Sequence, residues 1–234
     1  MENYVETTKE TNEVLSAQRT LLKNVYCWMA LALVVTGLTS YYVASSERIL
    51  SLMGSGLYIG LLIAEVVLVV ILSARIHKMS FAVAGVVFVI YSILNGVTLS
   101  VLLLVYTFES IALAFFITAG TFTAMALIGH FTKKDLSSMG QILLMALIGL
   151  IIATVVNLFI GSSTFQYILS YVGVLIFVGL TAYDAQKIKN QINEFGTEIS
   201  ESTMKLALMG ALELYLDFIN LMIYILRIVG SRRD

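Results

Sequence analysis

The chain alternates between long apolar runs and short polar links. Seven runs approach or exceed the roughly 20 apolar residues that an α-helix needs to cross a hydrocarbon core of about 30 Å. They cover residues 24–45, 56–74, 81–106, 110–130, 140–161, 166–186 and 204–229. None of them alternates apolar and polar residues with the period of two that a membrane β-strand requires. The pattern therefore predicts an all-α polytopic membrane bundle of seven transmembrane helices.

Composition supports a bilayer as the surroundings of this chain. Of its 234 residues, 59% are hydrophobic and 12% are charged, whereas soluble domains carry about 25% charged residues. A net charge of −1 leaves no basic surface for nucleic acid. The single cysteine, Cys27, excludes an intrachain disulfide and a cysteine metal site. We expect a polar cytoplasmic N-terminal tail of residues 1–20, a seven-helix domain of residues 21–230 and a short C-terminal tail of residues 231–234.

The distribution of lysine and arginine predicts the orientation in the membrane. Ten of them fall on the side of the N-terminus and four on the opposite side, so the N-terminus is predicted to be cytoplasmic. The four are Arg48, Arg227, Arg232 and Arg233, and the last three are discordant with this rule. A re-entrant last run would remove the discordance, so its full crossing stays open at this point. The chain ends without a retention signal, which favours a bacterial inner membrane.

Two aspartates interrupt the last two apolar runs. Asp184 lies in the sixth run and Asp217 near the middle of the seventh. A carboxylate near the centre of a membrane helix costs about 2.5–3.5 kcal/mol on insertion scales, so such residues usually face a protein interior and have a function there.

Asp217 belongs to a polar stripe on the last predicted helix. The spacings of four, three, four and three residues place the members on one helical face. They are Glu213, Asp217, Asn220, Tyr224 and Arg227. Because such a face is unstable against lipid, we predict that the last helix is central in the bundle. The alternative is a network of buried hydrogen bonds that only fixes helix packing.

Other predicted spans contain further polar side chains. Glu65 lies midway along the second run, and Asn95 shares a helical face with Tyr91 and Thr98 in the third. A lone buried glutamate is either protonated or paired. We expect the threonines of the fourth and fifth runs to bond to carbonyls of their own helices. No group of histidine with cysteine or carboxylate has zinc spacing, so we predict no resident cofactor.

The chemistry available to the two aspartates depends on whether their side chains meet. If they do, two carboxylates in a poorly solvated site cannot both be charged at low cost, so the pair shares a proton or accepts a divalent cation. Hard oxygen ligands of this kind suit Ca²⁺. Arg75, at the end of the second run, is a candidate latch that would hold one aspartate until protonation releases it.

At these residues the chain resembles the Bax inhibitor-1 (transmembrane Bax inhibitor motif) family. The matching motifs are TAYDAQKI at residues 181–188 and LYLDFINL at residues 214–221, supported by AEV at 64–66 and LNGVTL at 94–99. The resemblance implies seven helices with the last one surrounded by the other six. It also implies a pH-sensitive calcium leak channel with a di-aspartyl pH sensor, here Asp184 and Asp217, and a latch at Arg75.

Three other functions compete with this reading. An intramembrane aspartyl protease would need a Gly-x-Gly-Asp pattern at the second acid, whereas the chain has Tyr215-Leu216-Asp217, and it would need proline, which the chain lacks. We therefore expect no enzyme. A proton-coupled secondary transporter also uses buried acids. The third reading is a regulator that binds another membrane protein, such as a protease or a cell-death factor.

Overall fold

The computed structural model describes the main chain of residues 2–52 and 55–233 and the side chains of residues 11–49 and 56–233. In this part of the chain all secondary structure is helical apart from one isolated bridge. Eight α-helices follow one another, and a short 3-10 turn, Ile76–Lys78, follows the third. They are α1 (Glu2–Ala44), α2 (Glu47–Leu52), α3 (Ser55–Arg75), α4 (Phe81–Val105), α5 (Phe108–Phe131), α6 (Ser137–Ile160), α7 (Ser163–Phe195) and α8 (Glu201–Val229).

Seven of these helices, all except α2, are long and apolar enough to cross a membrane. They correspond one to one with the seven predicted runs, so the all-α polytopic membrane bundle is confirmed. Helix α8 is continuous over 29 residues, which gives a length of about 43 Å. This exceeds the hydrocarbon thickness, so α8 is long enough for the full crossing that the sequence left open.

The last helix is the most enclosed of the seven. In its apolar window 61% of the residues are buried, compared with 44% for α7 and 6% for α6. The outer helices instead expose large apolar side chains such as Leu158 and Phe159 on α6. Such surfaces suit contact with lipid. The high burial of α8 agrees with the central position that its polar stripe predicted.

Two compact units divide the chain. The first contains the residues up to Leu104 together with Ile188–Tyr215, and the second contains Val105–Lys187 together with the residues from Leu216 onward. Helices α7 and α8 therefore each contribute one part to both units. This division separates the polar residues of the predicted site into two groups, which are described below one at a time.

The core of the first unit is organised around Tyr215. Its ring is fully buried, packs edge-on against Phe88 at 5.7 Å between centroids, and its hydroxyl lies 2.7 Å from the hydroxyl of Thr36. Helices α1 and α4 approach closely at Gly96, where an added Cβ would lie 2.6 Å from the carbonyl oxygen of Thr36. A buried phenol hydroxyl needs such a partner, since an unmade hydrogen bond there is costly.

The second unit packs α5, α6 and α7 at glycines. An added Cβ on Gly129 would overlap the carbonyl of Ala182, and one on Gly140 would overlap the ring of Tyr183. Small residues of this kind let membrane helices approach to backbone distance. On α8, the ring of Phe218 packs edge-on against Phe122 at 5.5 Å between centroids.

One expectation differs from the structure in the polar segments. The sequence predicts a polar link, residues 187–203, between the sixth and seventh runs. This prediction is wrong over most of its length, because α7 continues to Phe195 and only residues 196–200 connect it to α8. Ile188 and Ile192 are 3% and 0% exposed, so an apolar face at four-residue spacing supports the helix beyond the membrane run. The main chain of the polar N-terminal tail is helical from Glu2.

The contact between α5 and α7 predicts a position-specific effect of adding one methyl group. We expect Gly129→Ala to lower the free energy of unfolding by about 1–3 kcal/mol, because the backbones of the two helices would have to separate. Gly120→Ala on the same helix is the matched control, since no atom lies within 4 Å of a Cβ there. Thermal unfolding in detergent measures both variants. Equal stability of the two would contradict the close approach.

Candidate functional site

The polar stripe of α8 lies on one uninterrupted helix. With about 100° per residue, Asp217, Asn220 and Tyr224 fall within roughly 60° of one another around the axis. Asp217 is 4% exposed, and the other four members of the stripe are half-buried. The predicted face is therefore shielded, and the carboxylate at its centre is the most shielded of its members.

Asp184 is held on α7 by a motif whose neighbouring residues pack against α5 and α6. Ala182 lies against Gly129 and Tyr183 against Gly140. The amide of Gln186 donates to the carbonyl of Lys134 at 2.7 Å and accepts from the main-chain N–H of Leu136 at 2.8 Å. This fixes the rotation of α7 and its depth against the α5–α6 loop. The side chain of Asp184 is 15% exposed, and its Oδ1 lies 3.8 Å from Nζ of Lys187.

The register of α7 against α8 is fixed by a stacked pair of rings. Phe177 of α7 and Tyr224 of α8 lie 5.9 Å apart between centroids with 27° between their planes. Gly173, one turn earlier on α7, makes room for the same tyrosine, because an added Cβ would come within 2.7 Å of its ring. Arg227 covers this ring with its guanidinium carbon 5.4 Å from the centroid.

The two aspartates are related to this stacked pair by one heptad on each helix. Asp184 follows Phe177 by seven residues, and Asp217 precedes Tyr224 by seven. In two antiparallel helices both steps lead about 10 Å in the same direction along the axis. Each step also turns the side chain by only about 20°. Both aspartates therefore lie about two turns from the rings toward the same end of the helices, and the meeting of their carboxylates stays a prediction.

Glu65 and Asn95 belong to the other unit and form a separate polar group. Glu65 accepts a hydrogen bond of 2.6 Å from the hydroxyl of Thr98. Asn95 donates to the hydroxyl of Tyr91 at 3.2 Å, and Tyr91, Asn95 and Thr98 are all buried. The predicted shared face of Tyr91, Asn95 and Thr98 is thus confirmed, and the hydroxyl of Thr98 is the hydrogen-bond donor to Glu65.

Several polar side chains have the structural roles that their types predict. The hydroxyls of Thr118 and Thr154 donate to carbonyls one turn earlier, at 2.7 and 2.8 Å. Arg75 is the exposed last residue of α3. Its role as a latch stays a prediction. Glu213 lies in the first unit and Asp217 in the second, although one helix contains both.

The sequence alone did not reveal the groups that position the aspartates. Phe177 was hidden in apolar sequence, although it could have been found by stepping one heptad back from Asp184. Gln186 lay within the TAYDAQKI motif, but the sequence did not reveal its bonds to the α5–α6 loop. The hydrogen bond between Thr36 and Tyr215 had no signal, because it joins residues 179 positions apart.

The donor set limits the kind of cation that these residues can hold. In the part of the chain that the structure describes, no three or more histidine, cysteine or carboxylate side chains gather in one place. Ca²⁺ prefers six to eight oxygen ligands. Two carboxylates would therefore leave most ligands to water and main-chain carbonyls.

Comparison with known proteins identifies the group to which this architecture belongs. The family described as inhibitor of apoptosis-promoting Bax1 matches residues 18–234. The chain belongs to the Bax inhibitor family. Among its relatives is the inner membrane protein YbhL of Escherichia coli (strain K12), which is 45% identical over 217 residues, or 92% of this chain and 93% of that protein.

Relatives in other bacteria match the chain over the same length. An uncharacterized protein of Deinococcus radiodurans is 41% identical over 221 residues, covering 94% of each chain. One of Rickettsia prowazekii is 41% identical over 229 residues, covering 97% of this chain and 96% of the relative. The family and the seven helices together confirm the prediction of a multi-pass protein of the bacterial inner membrane, in contact with the lipid bilayer.

The heptad relation predicts which positions can be cross-linked. In a Cys27→Ser background, we expect cysteines at Asp184 and Asp217 to be joined by a short bifunctional thiol reagent, as are cysteines at Phe177 and Tyr224. A cysteine at Ile228, about 16 Å farther along α8, is the control and should not react with one at Asp184. Electrophoresis after cleavage between the two positions measures the link. Cross-linking of the ring pair without that of the aspartate pair would contradict the register.

Proposed function

We propose that this protein is a pH-sensitive calcium leak channel whose switch is the pair Asp184 and Asp217. One observation carries the proposal: each aspartate lies one heptad from a member of the stacked pair Phe177 and Tyr224, toward the same end of the two helices. This relation supports a shared environment for two acids that the membrane would otherwise exclude.

The physical basis of the switch is the cost of placing two negative charges together. Asp217 is almost fully buried and Asp184 largely so. In such surroundings the doubly charged state is unfavourable, so the pair either shares a proton or attracts a cation. Protons and Ca²⁺ then compete for the same oxygens, and the occupancy of the ion path follows the pH.

Two features of the site suit passage rather than storage of the ion. The side chains supply few of the ligands that Ca²⁺ takes, and Lys187 lies 3.8 Å from Asp184 at the polar end of the span. A cationic neighbour weakens the attraction for a second cation. A site of this kind binds an ion long enough to admit it and weakly enough to release it.

A second candidate function follows from the family description. Because the family is described as an inhibitor of a Bax protein, a regulator that acts by binding another membrane protein is the main competitor. The proton-coupled secondary transporter shares the buried acids with the channel. Calcium flux distinguishes the channel from both alternatives. A regulator would conduct no calcium, and a transporter would show saturable uptake of an organic solute instead.

The di-aspartyl switch predicts a loss of pH response. In liposomes loaded with a calcium dye, we expect Asp184→Asn and Asp217→Asn each to make the leak independent of pH, because neither amide titrates. Glu194→Gln, an exposed acid on the same helix as Asp184, is the matched control and should retain the wild-type pH profile. An unchanged profile in both aspartate variants would overturn the switch.

The latch predicts a higher leak when its charge is removed. We expect Arg75→Gln to raise the calcium flux several-fold at the pH where the wild type is least active, because the arginine no longer restrains an aspartate. Lys78→Gln removes an exposed cation three residues farther on and is the control. The same liposome assay measures both. Equal fluxes in the two variants would assign no latch to Arg75.

A further inference from the structure

A small cavity lies within the second unit, near the ends of the helices opposite the α5–α6 loop. Its volume is about 230 Å³, which is below the range of roughly 300–1,000 Å³ that is typical of pockets for drug-sized ligands. The polar lining comes from α7, from the end of α8 and from the chain that follows α8. It includes Ser163, Gln166, Ser170, Arg227 and Arg232.

The charge of this cavity is positive. Two of its lining residues are arginines and none is acidic. Among the side chains of residues 11–49 and 56–233, no carboxylate forms an ion pair with either arginine. The guanidinium of Arg227 instead lies over the ring of Tyr224. The positive charge is thus available to a ligand. The hydroxyl of Ser163 adds a neutral hydrogen-bonding group, whereas that of Ser170 donates to the carbonyl of Gln166 at 2.9 Å.

The wall that contains Arg232 is held by main-chain hydrogen bonds. Tyr106 and Arg232 form an antiparallel bridge. The N–H of Thr107 donates to the carbonyl of Ser231 at 3.1 Å, and the N–H of Arg233 donates to the carbonyl of Val105 at 2.9 Å. The N–H of Ser231 also donates to the hydroxyl of Ser110 at 2.9 Å. These bonds fix the backbone of Arg232 beside the cavity, which reduces the entropy that a ligand must overcome.

The location of these arginines opposes the usual charge distribution of membrane proteins. In the predicted orientation they lie on the outer side, where short segments contain few cations. A function that needs positive charge at this place explains why the rule is broken. The guanidinium group presents a planar fork of donors that matches the oxygens of phosphate.

We propose that this cavity binds a phosphate group, supplied either by the head group of a membrane lipid or by a small soluble phosphate. Two guanidinium groups balance the charge of about −1.5 to −2 that a phosphate monoester carries near neutral pH. A lipid phosphodiester would carry one charge, and the neighbouring exposed Tyr167 would then lie at the level of the head groups. The site differs from the aspartate pair in its residues and in the sign of its ligand.

Phosphate binding to the detergent-solubilised protein tests the site without any calcium flux. Inorganic phosphate, against chloride at equal ionic strength, should raise the temperature of unfolding, since a ligand that binds only the folded state stabilises it. Arg232→Gln should weaken phosphate binding by about tenfold or more. Arg233→Gln is the matched control. It removes the adjacent charge but keeps the main-chain bond to Val105, and its side chain does not line the cavity.

A lipid arm distinguishes the two sources of phosphate. The protein is extracted from vesicles of phosphatidylglycerol and phosphatidylcholine, and the retained lipid is measured by native mass spectrometry. Retention of phosphatidylglycerol by the wild type and Arg233→Gln, with loss in Arg232→Gln, assigns a lipid head group. A thermal shift with phosphate alone, abolished in the same variant, assigns a soluble ligand. Equal behaviour of the two arginine variants in both arms, or no response in either arm, overturns the proposal.

Discussion

The contact of Phe177 with Tyr224 is the constraint on which the arrangement of the buried acids depends. Phe177 is 5% exposed, and Gly173 leaves the space that the ring of Tyr224 occupies. Because the rise per residue of an α-helix is constant, the contact at the rings also sets which residues of α7 and α8 lie at the same level farther along the two helices. The stacked rings therefore determine how Asp184 and Asp217, one heptad away on each helix, are placed along the two axes.

Helix α8 has an apolar face and a polar face. In a membrane this arrangement is stable only where other helices cover the polar face. Helix α8 presents apolar residues such as Phe218 to α5 while its polar stripe lies on another face. In lipid, that stripe would cost several kcal/mol. Burial within the protein avoids this cost, because the stripe can form hydrogen bonds there. Between membrane helices the hydrophobic driving force is absent, so close packing at glycines provides much of the attraction.

The sequence predicted the number and type of the helices because long apolar runs leave few alternatives in a bilayer. It also identified Asp217 and its stripe, since helical spacing alone determines which residues share a face. It misjudged the segment after Lys187, where polar residues hid the buried face of Ile188 and Ile192. The pairing of α7 with α8 was beyond prediction, because register depends on contacts such as Gly173 with Tyr224 that no periodicity encodes.

The side-chain amide of Gln186 fixes the depth at which Asp184 lies. It ties α7 to the loop between α5 and α6 from both ends of the amide, so the carboxylate two residues earlier is positioned by protein and not by lipid. Helices in thinner or thicker bilayers usually adapt by tilting. Because α7 is tied to the α5–α6 loop, a tilt of α5 and α6 would carry this end of α7 with it, and the acid would keep its position relative to that loop.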